Sequence, residues 1–228
     1  MTQCTITVGS ITACAVPVIT GTWQLNTARS IAVYNNVVYV PNYGTNTVTQ
    51  CITNGAGSIT SCSVPSIAWN LNTPTGIAIV NNTAYILNVI NVGSNVQGIT
   101  ECTIDGSGNI TSCIVSPTPS TGWLLGGSAQ QITIVDNVAF IVNGGDVVQC
   151  TITNGSFTSC VIPAIPDWAL GGGGYGIAIV NSYAYIITFQ NGSITRCTIV
   201  AGSITSCALT APPGGFNLNY PTDIAIVS

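Results

Sequence analysis

The chain has 228 residues, 46% of them hydrophobic, which is ample for a sizeable core, yet only eight are charged and none is histidine or lysine. Two arginines, Arg29 and Arg196, cannot neutralise a phosphate backbone, so no nucleic acid is expected as a partner. No apolar run approaches the roughly 18–20 residues of a spanning helix, so no membrane insertion is expected, and the β-branched content with a net charge of −4 argues against disorder.

Charged residues make up 4% of the chain, where about 25% is usual. Besides the arginines there are Glu101, Asp105, Asp136, Asp146, Asp167 and Asp223. So bare a surface has weak electrostatic protection against self-association. It suits a protein that assembles, or one kept soluble by amide and hydroxyl side chains.

Along the chain, ten cysteines fall in pairs: Cys4 and Cys14, Cys51 and Cys62, Cys102 and Cys113, Cys150 and Cys160, Cys197 and Cys207. The first cysteine of each pair recurs after 47, 51, 48 and 47 residues. Other landmarks travel with it. Aromatic residues open a short loop motif at Trp23, Trp69, Trp123, Trp168 and Phe216. A β-branched strand A follows at residues 31–34, 77–80, 132–135, 177–180 and 224–227. Its nearly continuous apolar character is that of a strand buried on both faces. A two-residue turn comes next: Asn35-Asn36, Asn81-Asn82, Asp136-Asn137 or Asn181-Ser182. Asn and Asp tolerate the positive φ that a tight hairpin needs. Strand B then carries Tyr39, Tyr85, Phe140 or Tyr185, strand C the first cysteine, and strand D, after a Gly-rich turn, the second.

Four antiparallel strands in each repeat of this length are the signature of a propeller blade. The fold expected is an all-β, five-bladed β-propeller forming one domain over residues 1–228. Its units are 16–63, 64–114, 115–161, 162–208, and a fifth built from 1–15 plus 216–228. The stretch Pro74-Thr-Gly-Ile-Ala-Ile-Val-Asn-Asn-Thr-Ala-Tyr-Ile-Leu-Asn88 resembles the blade pattern of NHL-type and lactonase-type extracellular propellers. The resemblance implies the fold and not an activity.

The paired cysteines bracket the C–D turn, so each pair can meet across one hairpin. Zinc sites use Cys-x₂₋₄-Cys pairs, often with histidine, and nothing here fits. Five structural disulfides are therefore expected, each worth up to about 3 kcal/mol for a loop of about ten residues. No metal or cofactor is expected. The disulfides imply an oxidising compartment, hence a secreted or cell-surface protein, although Met1 is not followed by a basic n-region and an apolar h-region.

The aromatic set Trp23, Trp69, Trp123, Trp168 and Phe216 has two readings. The rings wedge between neighbouring blades, or they form one glycan platform per blade, with Asn26, Asn72 and Asn219 as amide partners. Asp105-Gly-Ser-Gly-Asn109 loosely resembles a calcium loop but occupies the same turn as Asn54-Gly-Ala-Gly-Ser58, and reads as a plain turn. Asn81, Asn109, Asn154 and Asn191 lie in Asn-x-Ser/Thr sequons. Arg196 and Glu101 stand where other units have Gln3, Gln50 and Gln149, and are expected to face solvent or a neighbouring molecule. Without histidine there is no Ser-His-Asp or Cys-His constellation. The lactonase-type resemblance implies a channel metal held by acidic and amide residues, whereas the A strands here read as Ile, Val, Ala and Thr. On that reading no enzyme is expected.

Strands C and D of the fifth unit come from residues 1–15 and strand A from residues 223–228, with no segment for strand B. Three explanations stay open. The sequence is an excerpt of a longer array, a second molecule donates the strand, or the blade closes with three strands. The function expected is an extracellular structural scaffold that self-associates or belongs to a larger array or filament. A lectin-like propeller is the alternative, and the partners expected are accordingly a second copy or glycans.

Overall fold

The computed structural model describes residues 2–7, 10–20, 23–89, 98–117, 125, 129–165, 173–189, 192–210 and 221–224. The chain is an all-β, five-bladed propeller, and among the described residues there is no helix. β1 (Gln3–Thr7) and β2 (Ser10–Ala15) pair as a two-stranded sheet. Four four-stranded antiparallel sheets follow. Blade 1 contains β3 (Ala32–Tyr34), β4 (Val37–Asn42), β5 (Thr47–Thr53) and β6 (Ile59–Ser63). Blade 2 contains β7 (Pro74–Val80), β8 (Thr83–Asn88), β9 (Gly98–Ile104) and β10 (Ile110–Val115). Blade 3 contains β11 (Ala129–Val135), β12 (Val138–Asn143), β13 (Asp146–Thr153) and β14 (Ser156–Val161). Blade 4 contains β15 (Gly174–Val180), β16 (Tyr183–Thr188), β17 (Ile194–Val200) and β18 (Ser203–Thr210).

Local chemistry sets the hairpins. Asn35 and Asn36 adopt φ of 47° and 59°, Asn81 and Asn82 47° and 62°, Asp136 and Asn137 49° and 64°. Two successive positive φ values make the two-residue turn whose twist matches the flanking strands. Each C–D register places the cysteines directly opposite one another. All five disulfides are formed, with Cα–Cα separations of 4.0–4.1 Å, and no described cysteine is free. Five disulfides mark a chain that matures in an oxidising environment.

The innermost strands A are not buried on both faces. The last three residues of β7, β11 and β15 are only partly buried, whereas β4 is buried throughout. Strand A has one face on the central channel, while strand B lies inside the blade. Ile31, Ile77, Ile132, Ile177 and Ile224 line one channel cavity, so all five A positions converge on a common axis.

The core lies in layers between blades. One layer joins Tyr85, Leu87 and Ile99 of blade 2 to Ile132, Ile141 and Phe157 of blade 3. Another joins Val37 and Tyr39 of blade 1 to Ile77, Ile104 and Ile110 of blade 2. A third joins Phe140 and Val142 to Ile177, Ile186 and Ile204. Because each blade buries its faces against its neighbours, the seams carry the stability.

Candidate functional site: an open blade edge and the channel mouth

The seam between blades 1 and 2 and the seam between blades 3 and 4 are each latched by one glutamine. Gln50 Nε2 donates to the Gly108 carbonyl oxygen at 2.8 Å, and Gln50 Oε1 accepts the Ile110 N–H at 3.2 Å. Gln149 does the same to Gly202 and Ile204, at 2.9 and 3.1 Å. The strand-B tyrosines also donate across seams: Tyr39 Oη is a second donor to Gly108 O at 2.6 Å, and Tyr85 Oη donates to Gly155 O at 2.8 Å. The receiving glycines Gly108, Gly155 and Gly202 have φ of 86°, 82° and 77°. Glycine enters that region freely, which suits a turn presenting its carbonyl to the next blade. At Gly108 a Cβ would also lie 2.7 Å from Val37 Cγ2.

Glu101 occupies the latch position of blade 2 and is 9% exposed, so it does not face solvent as its charge suggested. A buried charge needs a partner, and its carboxylate accepts the Ser116 hydroxyl at 2.6 Å. Burial raises its pKa, opposed by that hydrogen bond. Arg196, in blade 4, is exposed, its guanidinium 5.1 Å from the Tyr183 ring centroid.

The fifth unit keeps the latch, without the strand that backs it in the other blades among the described residues. Gln3 Nε2 donates to Gly57 O at 2.6 Å, and Gln3 Oε1 accepts the Ile59 N–H at 3.3 Å. In blades 1–4 the residue at this position lies opposite the strand-B aromatic: Gln50 with Tyr39, Glu101 with Tyr85, Gln149 with Phe140, Arg196 with Tyr185. β1 pairs with β2 only, so among the described residues no strand lies along its other edge. That edge is a row of backbone donors and acceptors.

At the channel mouth the residue before each strand-A isoleucine is Ser30, Gly76, Gln131, Gly176 or Asp223. Ser30 Oγ donates to Gln131 Oε1 at 3.2 Å, and Gln131 Nε2 donates to Asp223 Oδ1 at 3.2 Å. The flanking glycines make room, since a Cβ on Gly76 would stand 2.9 Å from Gln131 Oε1 and one on Gly176 2.9 Å from the Asp223 Cα. The expectation of a channel lined by Ile, Val, Ala and Thr alone is therefore corrected. The polar residues enter one step before the apolar strand and so escape a reading of the strand itself. Aligning that position across the five repeats would have found them.

Trp23 is half-buried against Val38, Val40 and Ile59, and Trp69 is half-buried against the layer between blades 1 and 2. Their loops are pinned from behind: Asn42 Oδ1 accepts the Asn26 N–H at 3.0 Å, and Asn88 Oδ1 accepts the Asn72 N–H at 2.9 Å. Trp123, Trp168 and Phe216, with Asn219, lie outside the described residues. Asp105 Oδ1 accepts the Ser107 and Asn109 N–H groups at 2.9 and 2.8 Å, which holds its carboxyl below the usual range. Asn54 Oδ1 makes the same turn with Ala56 and Ser58.

No protein-family model matches the chain, and no curated protein matches it in sequence. Solved structures do. One described as a candidate 6-phosphogluconolactonase from Bacteroides uniformis is similar with a TM-score of 0.54 at 12% identity, covering 78% of this chain and 55% of that one. Another so described, from Bacteroides fragilis, gives 0.56 at 14%, covering 79% and 56%. A chain of a nidogen–laminin complex gives 0.55 at 11%, covering 90% and 88%. The chain thus spans 55% and 56% of the length of the two candidate lactonases. The exclusion of an enzyme does not stand, because the fold is shared with chains described as candidate lactonases. A likeness at this identity shows the propeller fold, and with it the blade reading of the repeat, while assigning no activity.

Proposed function

We propose that this chain is an extracellular structural scaffold that self-associates through its fifth blade, a strand from a second copy lying along β1. The observation that carries this reading is the latch of Gln3 on Gly57 and Ile59, made by a strand that among the described residues has a partner on one side only. Strand addition supplies affinity through main-chain hydrogen bonds and specificity through alternate side chains. The other seams indicate what the incoming strand needs. An aromatic residue opposite Gln3 would cover blade 1, and its hydroxyl would reach the Gly57 carbonyl as Tyr39 reaches Gly108. A surface with 4% charged residues opposes association only weakly. The five disulfides support an oxidising, extracellular setting.

Sedimentation velocity and electron microscopy over a concentration series test the proposal. Concentration-dependent rings or fibres are expected, and a peptide Thr-Ala-Tyr-Ile-Leu-Asn, copying Thr83–Asn88, is expected to dissolve them. The same peptide with Tyr replaced by Ala is expected to compete at least about tenfold less well. A monomer at every concentration overturns the assembly reading. Assemblies indifferent to the peptide overturn strand addition as its route.

A further inference from the structure

The channel mouth opens into a cavity of about 330 Å³, lined among others by Arg29, Gln130, Gln131, Tyr175, Phe189 and Thr222. That volume lies within the range of small-molecule sites, and its lining mixes an apolar wall with a few convergent polar groups. The wall is formed by Tyr175 and Phe189, stacked with centroids 4.6 Å apart and planes 25° apart. The amides come from Gln130 and Gln131 at the entry to β11, the hydroxyl from Thr222, the charge from Arg29.

The sign of that charge is informative in a chain with net charge −4 and only two cations. Arg29 is held with its guanidinium carbon 4.1 Å from the Tyr43 ring centroid. Among the described residues it makes no ion pair, although Asp223 lies on the same rim. The Asp223 Oδ1 is engaged instead by the Gln131 amide and by the Ile224 N–H at 2.8 Å. The carboxylate is thus engaged by neighbouring amide groups, while the guanidinium lines the cavity. A guanidinium presents a planar fork of donors matched to a carboxylate. It disfavours a metal cation in the same space by like charge.

We infer that the channel mouth binds a small organic carboxylate whose ring or flat apolar body lies against Tyr175 and Phe189 while its carboxylate meets Arg29. The amides of Gln130 and Gln131 and the Thr222 hydroxyl serve further oxygen substituents. The inference is independent of the assembly reading, since it uses no residue of β1 or β2.

The test is isothermal titration of the full disulfide-intact chain with 4-hydroxybenzoate and with its neutral isostere 4-hydroxybenzamide. The carboxylate is expected to bind at least roughly tenfold tighter than the amide, equivalent to about 1.4 kcal/mol. Arg29→Gln is expected to erase that preference, and Arg29→Lys to retain part of it. Equal binding of the two probes by the unaltered chain overturns the inference, as does a carboxylate preference that survives Arg29→Gln. Absence of heat up to about 10 mM probe, weaker than the millimolar range of simple ligands, also overturns it. The comparison of the two probes on the unaltered chain decides the matter even if an Arg29 variant fails to fold.

Discussion

The side chain of Gln50 crosses from blade 1 to blade 2, where its amide nitrogen donates to the Gly108 carbonyl at 2.8 Å. Tyr39 donates to the same oxygen at 2.6 Å, so one turn carbonyl gathers two donors from the neighbouring blade. Gln50 is 4% exposed, and its own oxygen satisfies the Ile110 N–H. Deleting the side chain leaves the turn carbonyl to Tyr39 but removes the side-chain acceptor of Ile110.

Gln50→Ala is accordingly expected to cost about 1–3 kcal/mol, the penalty for a buried polar group left without its partner. Denaturant unfolding with the disulfides intact measures it. Gln149→Ala, at the seam between blades 3 and 4, is expected to cost a similar amount. A loss below about 0.5 kcal/mol at both seams, typical of surface substitutions, would remove the latch from the account of stability.

Glu101 stands at the same position with a group that ionises. Its folded pKa is raised above 4.5, chiefly by desolvation. A raised carboxyl pKa means that the folded state holds its proton more tightly than the unfolded chain does. The contribution of Glu101 to stability should therefore be largest below about pH 4, fall as pH rises through the ordinary carboxyl pKa, and level off above the raised value. Glu101→Gln is expected to remove that slope. It is also expected to add about 1 kcal/mol at pH 7, because an amide can donate to Gly155 O where a carboxylate cannot. Thermal melts of both proteins from pH 3 to pH 8 check it, and parallel curves would contradict it.

Gly176 stands at the close approach of blade 4 to residues 223 and 224. A Cβ there would meet the Asp223 Cα at 2.9 Å and the Ile224 N at 3.0 Å, backbone atoms that yield only by moving the segment. Gly176→Ala is expected to displace that segment and break the Gln131–Asp223 hydrogen bond, at a cost of about 1–3 kcal/mol for overpacking. Faster hydrogen exchange at Ile224, with unchanged exchange in β4 and β5, would be the signature. Unaltered exchange at Ile224 would show that the segment is not held there.

Much of the fold was legible because its determinants are local. Asn35-Asn36, Asn81-Asn82 and Asp136-Asn137 announce tight turns through their tolerance of positive φ, and they adopt it. Cysteines ten or eleven residues apart across a Gly-rich turn have one near partner each, and they pair so. Recurrence of these signals in one order determined the blades and their number.

The seams and the channel mouth were decided only by the closed tertiary arrangement. Gln50 meets Gly108 across 58 residues, Gln131 meets Ser30 across 101 and Asp223 across 92. Nothing in a glutamine preceding a cysteine announces an amide aimed at the next repeat, and a glutamate there was read as exposed because charge usually is. Burial of strand A went astray for the same reason: an apolar run does not tell a strand enclosed in a blade from one bordering an axial channel. Sequence periodicity specifies each blade from within. Which side chains meet on the axis depends on where five separate entries point once the blades stand around it.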